Sequence, residues 1–270
     1  MLRSCLRGVD VVIHCATLHK PHVETHARQA FVETNVAGTL AVLEAALESG
    51  VSGVVYSSTT SAFGGALTPA AGRPAAWIDE DVAGIPRNIY GVTKRSAEDL
   101  CELFLRSRGL PCIVLRNARF FPEADDDPEM RRQLTDLNLK VNEYLYRRVD
   151  LADAVEAHIL AAECATAIGF GRYVVSATSP FERRHLARLR SDAPGVVRSL
   201  FPEYEDVYRE RGWRMLPGID RVYVNRRARQ ALDWRPSRDF GDILGALRRG
   251  NEVFSPLARA VGSKGYHRSA

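Results

Sequence analysis

Thr59, Tyr90 and Lys94 are residues whose types and spacing suit proton chemistry. Thr59 lies in the run Val54-Val55-Tyr56-Ser57-Ser58-Thr59-Thr60-Ser61-Ala62-Phe63-Gly64, and the other two bound Tyr90-Gly91-Val92-Thr93-Lys94. A free phenol titrates near about pH 10 and is a poor base at neutrality. An ammonium one helical turn away favours the phenolate and lowers that pKa. A hydroxyl at the end of a buried strand, followed by a helix bearing such a pair, forms a proton-transfer apparatus for an alcohol or carbonyl oxygen.

The elements around these residues must hold them together. Tyr-x-x-x-Lys alone is a weak pattern, and a surface tyrosine beside a surface lysine is its alternative reading. Here Pro86 and Asn88 are helix-start signals, and apolar residues at 97, 100, 101, 104 and 105 follow at helical spacing. The preceding stretch, residues 53–57, is short, apolar and β-branched, as a buried parallel strand should be. Strands are expected at 9–15, 51–57, 111–116 and 171–177. Helices are expected at 27–49, from 89 to Gly109, and at 150–164. Residues 65–88 read as a Pro/Gly-rich loop. Alternating strands and helices imply a parallel sheet with right-handed crossovers, which binds ligands beyond the carboxyl ends of its strands. Thr59 and the loop from Ala16 both fall there.

The order of motifs along nearly the whole chain resembles that of the extended short-chain dehydrogenases/reductases, in the NAD-dependent epimerase/dehydratase group. The segments are Val9-Asp10-Val11-Val12-Ile13-His14-Cys15-Ala16, Asn35-Val36-Ala37-Gly38-Thr39, Ser57 through Gly64, Tyr90 through Lys94, and Val149-Asp150-Leu151-Ala152-Asp153. A weaker echo runs from Asn225 to Pro236, ending Leu232-Asp233-Trp234-Arg235-Pro236. The resemblance implies an α/β fold: a partial Rossmann-like, doubly wound parallel sheet with a smaller C-terminal substrate lobe. Residues 1–177 form the dinucleotide-binding domain, with 118–145 lent to the lobe, and 178–270 form the lobe and a loose tail. The family's opening strand, Gly-rich turn and helix, which receive the cofactor pyrophosphate, have no counterpart here. The gap corresponds to two β-α units, on the order of 60 residues. Either the start is misassigned or the chain shortened, or the protein naturally lacks the segment and has another role. The apolar strand at 9–15 favours the former, because it would otherwise be a bare hydrophobic edge. A chain without that turn is expected to bind a dinucleotide feebly.

The resemblance implies NAD or NADP as cofactor and a secondary alcohol as substrate, such as one on a sugar nucleotide. It implies that Tyr90 is the acid/base, that Lys94 binds the cofactor ribose while lowering the Tyr90 pKa, and that Thr59 hydrogen-bonds the reacting oxygen. Ala16, Thr17, His19, Asn35 and Ser57 fall at positions that contact or order the cofactor. Asn35 is a poor mid-helix residue on propensity, so the alternative is a merely helix-bending polar residue. His19 stands where sugar-nucleotide epimerases carry a lysine. The family's dehydratases carry Asp-Glu where this chain has Thr60 and Ser61, which disfavours 4,6-dehydration and leaves Thr60 as a substrate contact. Arg119 replaces an epimerase Asn, and Leu216 stands where those enzymes have Arg before Pro-Gly. Arg214 and Arg221 are near enough to offer a guanidinium to a phosphate, or are surface charges. A catalytically silent nucleotide-sensing or interaction protein of the same fold is the alternative function.

Composition bounds the other classes. The 270 residues are 46% hydrophobic, which suffices for one or two domains, and the net charge is +4. The basic residues are scattered rather than striped with aromatics, so no nucleic-acid partner is expected. No apolar run is expected to cross a bilayer, and no leader peptide is read at the start. Cys5, Cys15, Cys101, Cys112 and Cys164 are odd in number and widely spaced. They read as reduced, buried thiols in a cytoplasmic protein. A homodimer is an open expectation. His19, His22 and His26 with Cys15 could ligate zinc, but Pro21 and the neighbouring cofactor loop weigh against a metal. The acidic run Glu123-Ala124-Asp125-Asp126-Asp127-Pro128 reads as a solvated loop, with Asp127 as N-cap and Pro128 at the first helical position.

Overall fold

The computed structural model describes residues 2–125 and 127–263. Four parallel strands form the main sheet in the order β1-β2-β4-β5: β1 (Val11–His14), β2 (Gly53–Thr59), β4 (Cys112–Asn117) and β5 (Phe170–Val175). Two further short strands, β3 (Ala76–Ile78) and β6 (Arg221–Tyr223), pair in parallel outside it. β3 lies inside the stretch read as loop. Three residues flanked by Pro and Gly are too few to show a period, and β3 exists only because β6 reaches it.

The two faces of the sheet follow from alternation. Val54, Tyr56, Cys112 and Val114 face one core, covered by α2 (Arg28–Glu48) and α3 (Ile89–Arg108). Val55, Ile113 and Leu115 face the other, covered by α6 (Leu151–Ile168), which follows α4 (Pro128–Gln133) and α5 (Asp136–Glu143). The sheet-facing stripe of α6 is Ala154, Ala157, Ala161 and Ala165, all buried. Its small side chains bring the helix close enough that a Cβ on Gly53 would stand 2.8 Å from Ala165 Cβ.

Strand β1 forms one edge of the sheet, and Ile13 on it is 44% exposed. Helix α2 carries a π-helical stretch, Val32–Ala37, that 3.6-residue periodicity could not reveal. Its length and mean hydropathy of 1.3 are enough to cross a bilayer, contrary to expectation. Its run of Ala, Val and Leu has that composition because Phe31, Leu43, Ala45 and Ala46 are buried within the fold.

Residues 139–145 enter the lobe core, where Leu139, Val141 and Leu145 pack with Val196, Val197, Tyr208, Phe240 and Ile243. The division at 178 needs one correction. Ala228, Leu232 and Trp234 return to the main core, and Trp234 Nε1 donates to the Asp153 carbonyl at 3.0 Å. The acidic loop also differs from expectation. Asp127 does cap α4, accepting from the Glu129 amide at 2.9 Å. Asp125, however, is buried between two arginines and is not solvated. Asp126 and the tail at 264–270 lie outside the described residues. Of the five free cysteines, Cys101 and Cys112 are buried, whereas Cys5 and Cys15 are exposed, because each lies at the margin of its apolar segment.

Candidate active site

Strand β2 delivers three consecutive hydroxyl residues to the carboxyl end of the sheet. All three line a cavity of about 910 Å³, and the Ser58 hydroxyl donates to Glu98 on α3 at 2.5 Å. Thr59 ends the strand and accepts from the Ser61 amide at 3.1 Å, capping the turn Thr60–Ala62. Asn88 caps α3, accepting from the Gly91 amide at 2.9 Å, so the helix starts one residue before the tyrosine. Gly91 is required by this contact: a Cβ there would meet the Ser61 carbonyl oxygen at 2.9 Å.

Tyr90 and Thr59 line the same cavity, with the Thr59 hydroxyl beside the phenol. Burial pushes the Tyr90 phenol up to about 12, with the neighbouring Thr59 hydroxyl acting to lower it. The expected depression by Lys94 is absent. Lys94 is 1% exposed and does not line the cavity. Its Nζ donates to the Ser57 carbonyl at 2.6 Å and lies 4.1 Å from the centre of the Tyr56 ring. Four-residue spacing puts the two side chains on one helix face, but the ammonium follows its nearest acceptor rather than the phenol. Burial lowers Lys94 to about 8, with Glu98 opposing.

Asn35 is buried in the π-helical stretch and does not reach the cavity. Its Oδ1 accepts from Thr17 Oγ1 at 2.9 Å and the Leu18 amide at 2.8 Å, while Nδ2 donates to the Leu18 carbonyl at 2.9 Å and Thr93 Oγ1 at 3.0 Å. It therefore ties the loop after β1 to the tyrosine helix. Thr17 and His19 line the cavity, but Ala16 between Cys15 and Thr17 does not, since an extended segment alternates its side chains. His19 and His22 pair through the His19 amide donating to His22 Nδ1 at 3.1 Å, an arrangement that caps the turn Lys20–Glu24.

The arginines divide. Thr60, Arg119 and Arg221 line the cavity. Arg214 does not: its guanidinium donates to the Gln133 carbonyl at 2.8 Å, and its backbone is bonded to Asn138 and Asn142 in the lobe. Its nearness in sequence to Arg221 carries no spatial meaning, because the irregular stretch 215–220 leads the chain away from the lobe before β6 begins. Arg147 joins Arg119 at the cavity wall, bridged by Asp125 Oδ2 at 2.5 Å from Arg119 and 2.8 Å from Arg147. Glu143, fully buried, pairs with Arg147 and Arg148 at 2.7 Å each. Burial pushes its carboxyl up, yet Arg148, Arg147 and Arg119 outweigh it and hold the group at about 2.

Residues 2–174 match the sequence model of the NAD-dependent epimerase/dehydratase family. The chain belongs to that family. Among relatives, it is 31% identical over 118 residues to an uncharacterized UDP-glucose epimerase of Bacillus subtilis (strain 168), covering 43% of this chain and 34% of that protein. The matched stretch thus spans about a third of the curated relatives' length. Among solved structures, UDP-N-acetylglucosamine 4-epimerase from Bacillus cereus superposes with a TM-score of 0.60 at 18% identity, over 92% of this chain and 80% of that one. UDP-glucuronic acid 4-epimerase from the same organism, in complex with NAD, gives 0.57 at 18% identity over 92% and 77%. These likenesses show a Rossmann-like epimerase fold.

Within this epimerase/dehydratase fold, two residues not singled out from sequence shape the site. Asn117 closes β4 beside the cavity. Its Nδ2 donates to Ser57 Oγ at 3.1 Å and to the Ser58 and Leu115 carbonyls, each at 3.2 Å, which leaves Oδ1 buried without a hydrogen-bond partner. The orphaned acceptor, with Ser57 and Tyr90 on the same wall, fits the amide and ribose end of a nicotinamide nucleotide. Glu98 is fully buried on α3. Its signal in the sequence is an acidic residue within the otherwise apolar stripe at 97, 101 and 104. For Asn117 the signal is the polar pair Arg116-Asn117 ending an apolar strand.

Proposed function

We propose that the chain acts as an NAD(P)-dependent epimerase or oxidoreductase on a secondary alcohol, of the kind borne by sugar nucleotides. The observation that carries this reading is that the Thr59 hydroxyl and the Tyr90 phenol share a cavity walled by guanidinium groups. Ser57, Asn117 and Tyr90 would hold the nicotinamide end, with Lys94 behind the wall. A bound NAD or NADP supplies hydride transfer. Tyr90, protonated throughout the neutral range, donates a hydrogen bond to the substrate oxygen. Thr59 accepts from or donates to that same oxygen and orients it. In the carbonyl-to-alcohol direction the Tyr90 phenol would give its proton to the substrate oxygen as the carbon gains a hydride, and in the reverse direction the resulting phenolate would take that proton back. Arg119, Arg147 and Arg221 suit an anionic group on the substrate, such as a phosphate. Free thiols support a reducing, cytoplasmic setting.

One observation favours a second reading, a catalytically silent nucleotide-binding member of the same fold: the phenol stands at about 12 and Lys94 is turned to the Ser57 carbonyl. One experiment separates the two. Turnover of a panel of sugar nucleotides and small secondary alcohols is measured with NAD and NADP for the native chain and for Tyr90→Phe. The enzyme reading expects the variant to lose about 10²–10⁴ in kcat while cofactor binding by fluorescence titration stays nearly intact, since the ring remains and only its hydroxyl is lost. Equal turnover in the variant would falsify the mechanism. Cofactor binding by the native chain without turnover of any compound favours the silent reading.

A further inference from the structure

Two arginines on the cavity wall are held by the same two carboxylates. Arg119 follows β4 and Arg147 follows α5. Asp125 Oδ2 lies 2.5 Å from Arg119 Nη1 and 2.8 Å from Arg147 Nη2. Glu143 Oε1 lies 3.3 Å from Arg119 Nη1 and 2.7 Å from Arg147 Nη2. The four side chains therefore close a ring of alternating charge. Its carboxylates are buried, Asp125 at 5% and Glu143 at 0%, whereas the Arg119 and Arg147 side chains are 25% and 20% exposed and line the cavity. The carboxylates thus stand behind, and what the ring presents to the cavity is guanidinium. Asp125 is fixed from its other oxygen by the Asp127 amide, which donates to Oδ1 at 2.8 Å. Arg148, 1% exposed, holds the second Glu143 oxygen at 2.7 Å and the Phe121 carbonyl at 3.1 Å.

The charges of this cluster do not cancel. The guanidinium groups of Arg119, Arg147 and Arg148 face two carboxylates, which leaves about one positive unit on the wall. Arg221, on the same wall, is matched by Asp220 at 2.9 Å. Lys20 and Arg87 also line the cavity but are exposed, so solvent and salt screen them, and Glu123 opposes them. An anion entering the cavity gives up hydration in proportion to the square of its charge, and regains attraction in proportion to the charge itself. One positive unit therefore repays a single negative charge better than a double one. We propose that Arg119 and Arg147 form a subsite for one singly charged oxyanion of the substrate, a carboxylate or a phosphodiester, and that Asp125 is the specificity-determining residue that sets this charge. It rests on the reading of the cavity as a substrate site, and it disfavours a phosphomonoester, which carries nearly two charges at neutrality.

Three probes share a phenyl ring and differ in charge. Benzoate and methyl phenyl phosphate carry one unit, and phenyl phosphate carries nearly two at about pH 8. Their affinities for the full chain are measured by NMR titration, followed at the methyl groups of Ala118 and Ala124, which both line the cavity. The native chain is expected to bind the two singly charged probes at least as tightly as phenyl phosphate. Asp125→Asn adds one positive unit to the wall. It is expected to tighten the singly charged probes about threefold and phenyl phosphate about tenfold, because the added attraction doubles with the charge. A purely structural Asp125 would lower stability and move the three affinities equally or not at all, and that result overturns the proposal. If Asp125→Asn does not fold, the native chain still decides. Phenyl phosphate binding more tightly than both other probes, or methyl signals that no probe shifts, overturns it. Within a supporting result, benzoate ahead of methyl phenyl phosphate assigns the subsite to a carboxylate, and the reverse order assigns it to a phosphodiester. The titration needs neither cofactor nor turnover. Retained turnover in Tyr90→Phe would remove the proposed reaction and leave the subsite standing, whereas loss of the charge preference would remove the subsite alone.

Discussion

His14 lies on the edge strand with Nε2 3.0 Å from Thr39 Oγ1 and its ring 5.5 Å from that of Tyr56. Burial, assisted by the nearby Lys94 charge, lowers its pKa from 6.5 to about 4. In this window the unfolded chain binds a proton that the folded chain refuses, so stability falls as pH drops from 6.5 towards 4. The contribution is about 3 kcal/mol. His14→Gln keeps a polar partner for Thr39 and does not titrate. Its urea-unfolding free energy is therefore expected to lack about that much of the acid loss over this range. Glu143 acts in a different window. Its folded value of about 2 lies below the ordinary 4.5, so its stabilisation is complete above 4.5 and vanishes as pH falls through 2. The two groups can thus be separated by pH alone. Residue types were legible from sequence in both cases; the surroundings that shift them were not.

Helices and strands place these residues through a few side chains that join one element to another. Asn35 is the clearest case, because four hydrogen bonds from one amide join α2, the loop after β1, and α3. Asn35→Ala removes them and leaves the Leu18 amide without its acceptor. A loss of about 2–3 kcal/mol in urea unfolding is expected, with faster hydrogen exchange at Leu18. Unchanged exchange there would show that Asn35 does not hold the loop. The resemblance marked Asn35 as a residue that contacts or orders the cofactor, and in the structure it supports the cavity wall without lining it. It lies in the π-helical stretch, Val32–Ala37, and its amide nitrogen donates to Thr93 Oγ1. Strand and helix existence was readable because apolar runs of the right length and period are local properties. The short pair β3 and β6 was not, since each exists only through the other.

Across the whole molecule, the lobe is fastened to the sheet where the chain returns at Trp234. Asp153 on α6 accepts from the Ser237 amide and hydroxyl, both at 2.8 Å, and from the Arg238 amide at 3.2 Å. Trp234 is fully buried and bonded to the backbone of the same residue. Asp153→Ala strips three donors of their acceptor, so a loss of about 3 kcal/mol is expected in chemical unfolding. Stronger acrylamide quenching of tryptophan fluorescence should accompany it, as the buried Trp234 becomes accessible. Retained stability with unchanged quenching would mean that the two cores hold together without this link. The weak echo from Asn225 to Pro236 marked this segment in the sequence, but not that it crosses back from the lobe to the sheet.

The sequence by itself determined the parallel sheet, the tyrosine helix and the hydroxyl that meets it, because alternation, capping and helical spacing act between near neighbours. It also named Arg119 and Arg221 as cavity residues, whereas Arg214 was drawn away by its bonds in the lobe. Only the tertiary structure decided the charges. Lys94 answers to the Ser57 carbonyl, Asp125 to two arginines, and Asn117 to the end of β2. Desolvation and ion pairing depend on every group within a few ångströms, and those groups come from elements far apart along the chain.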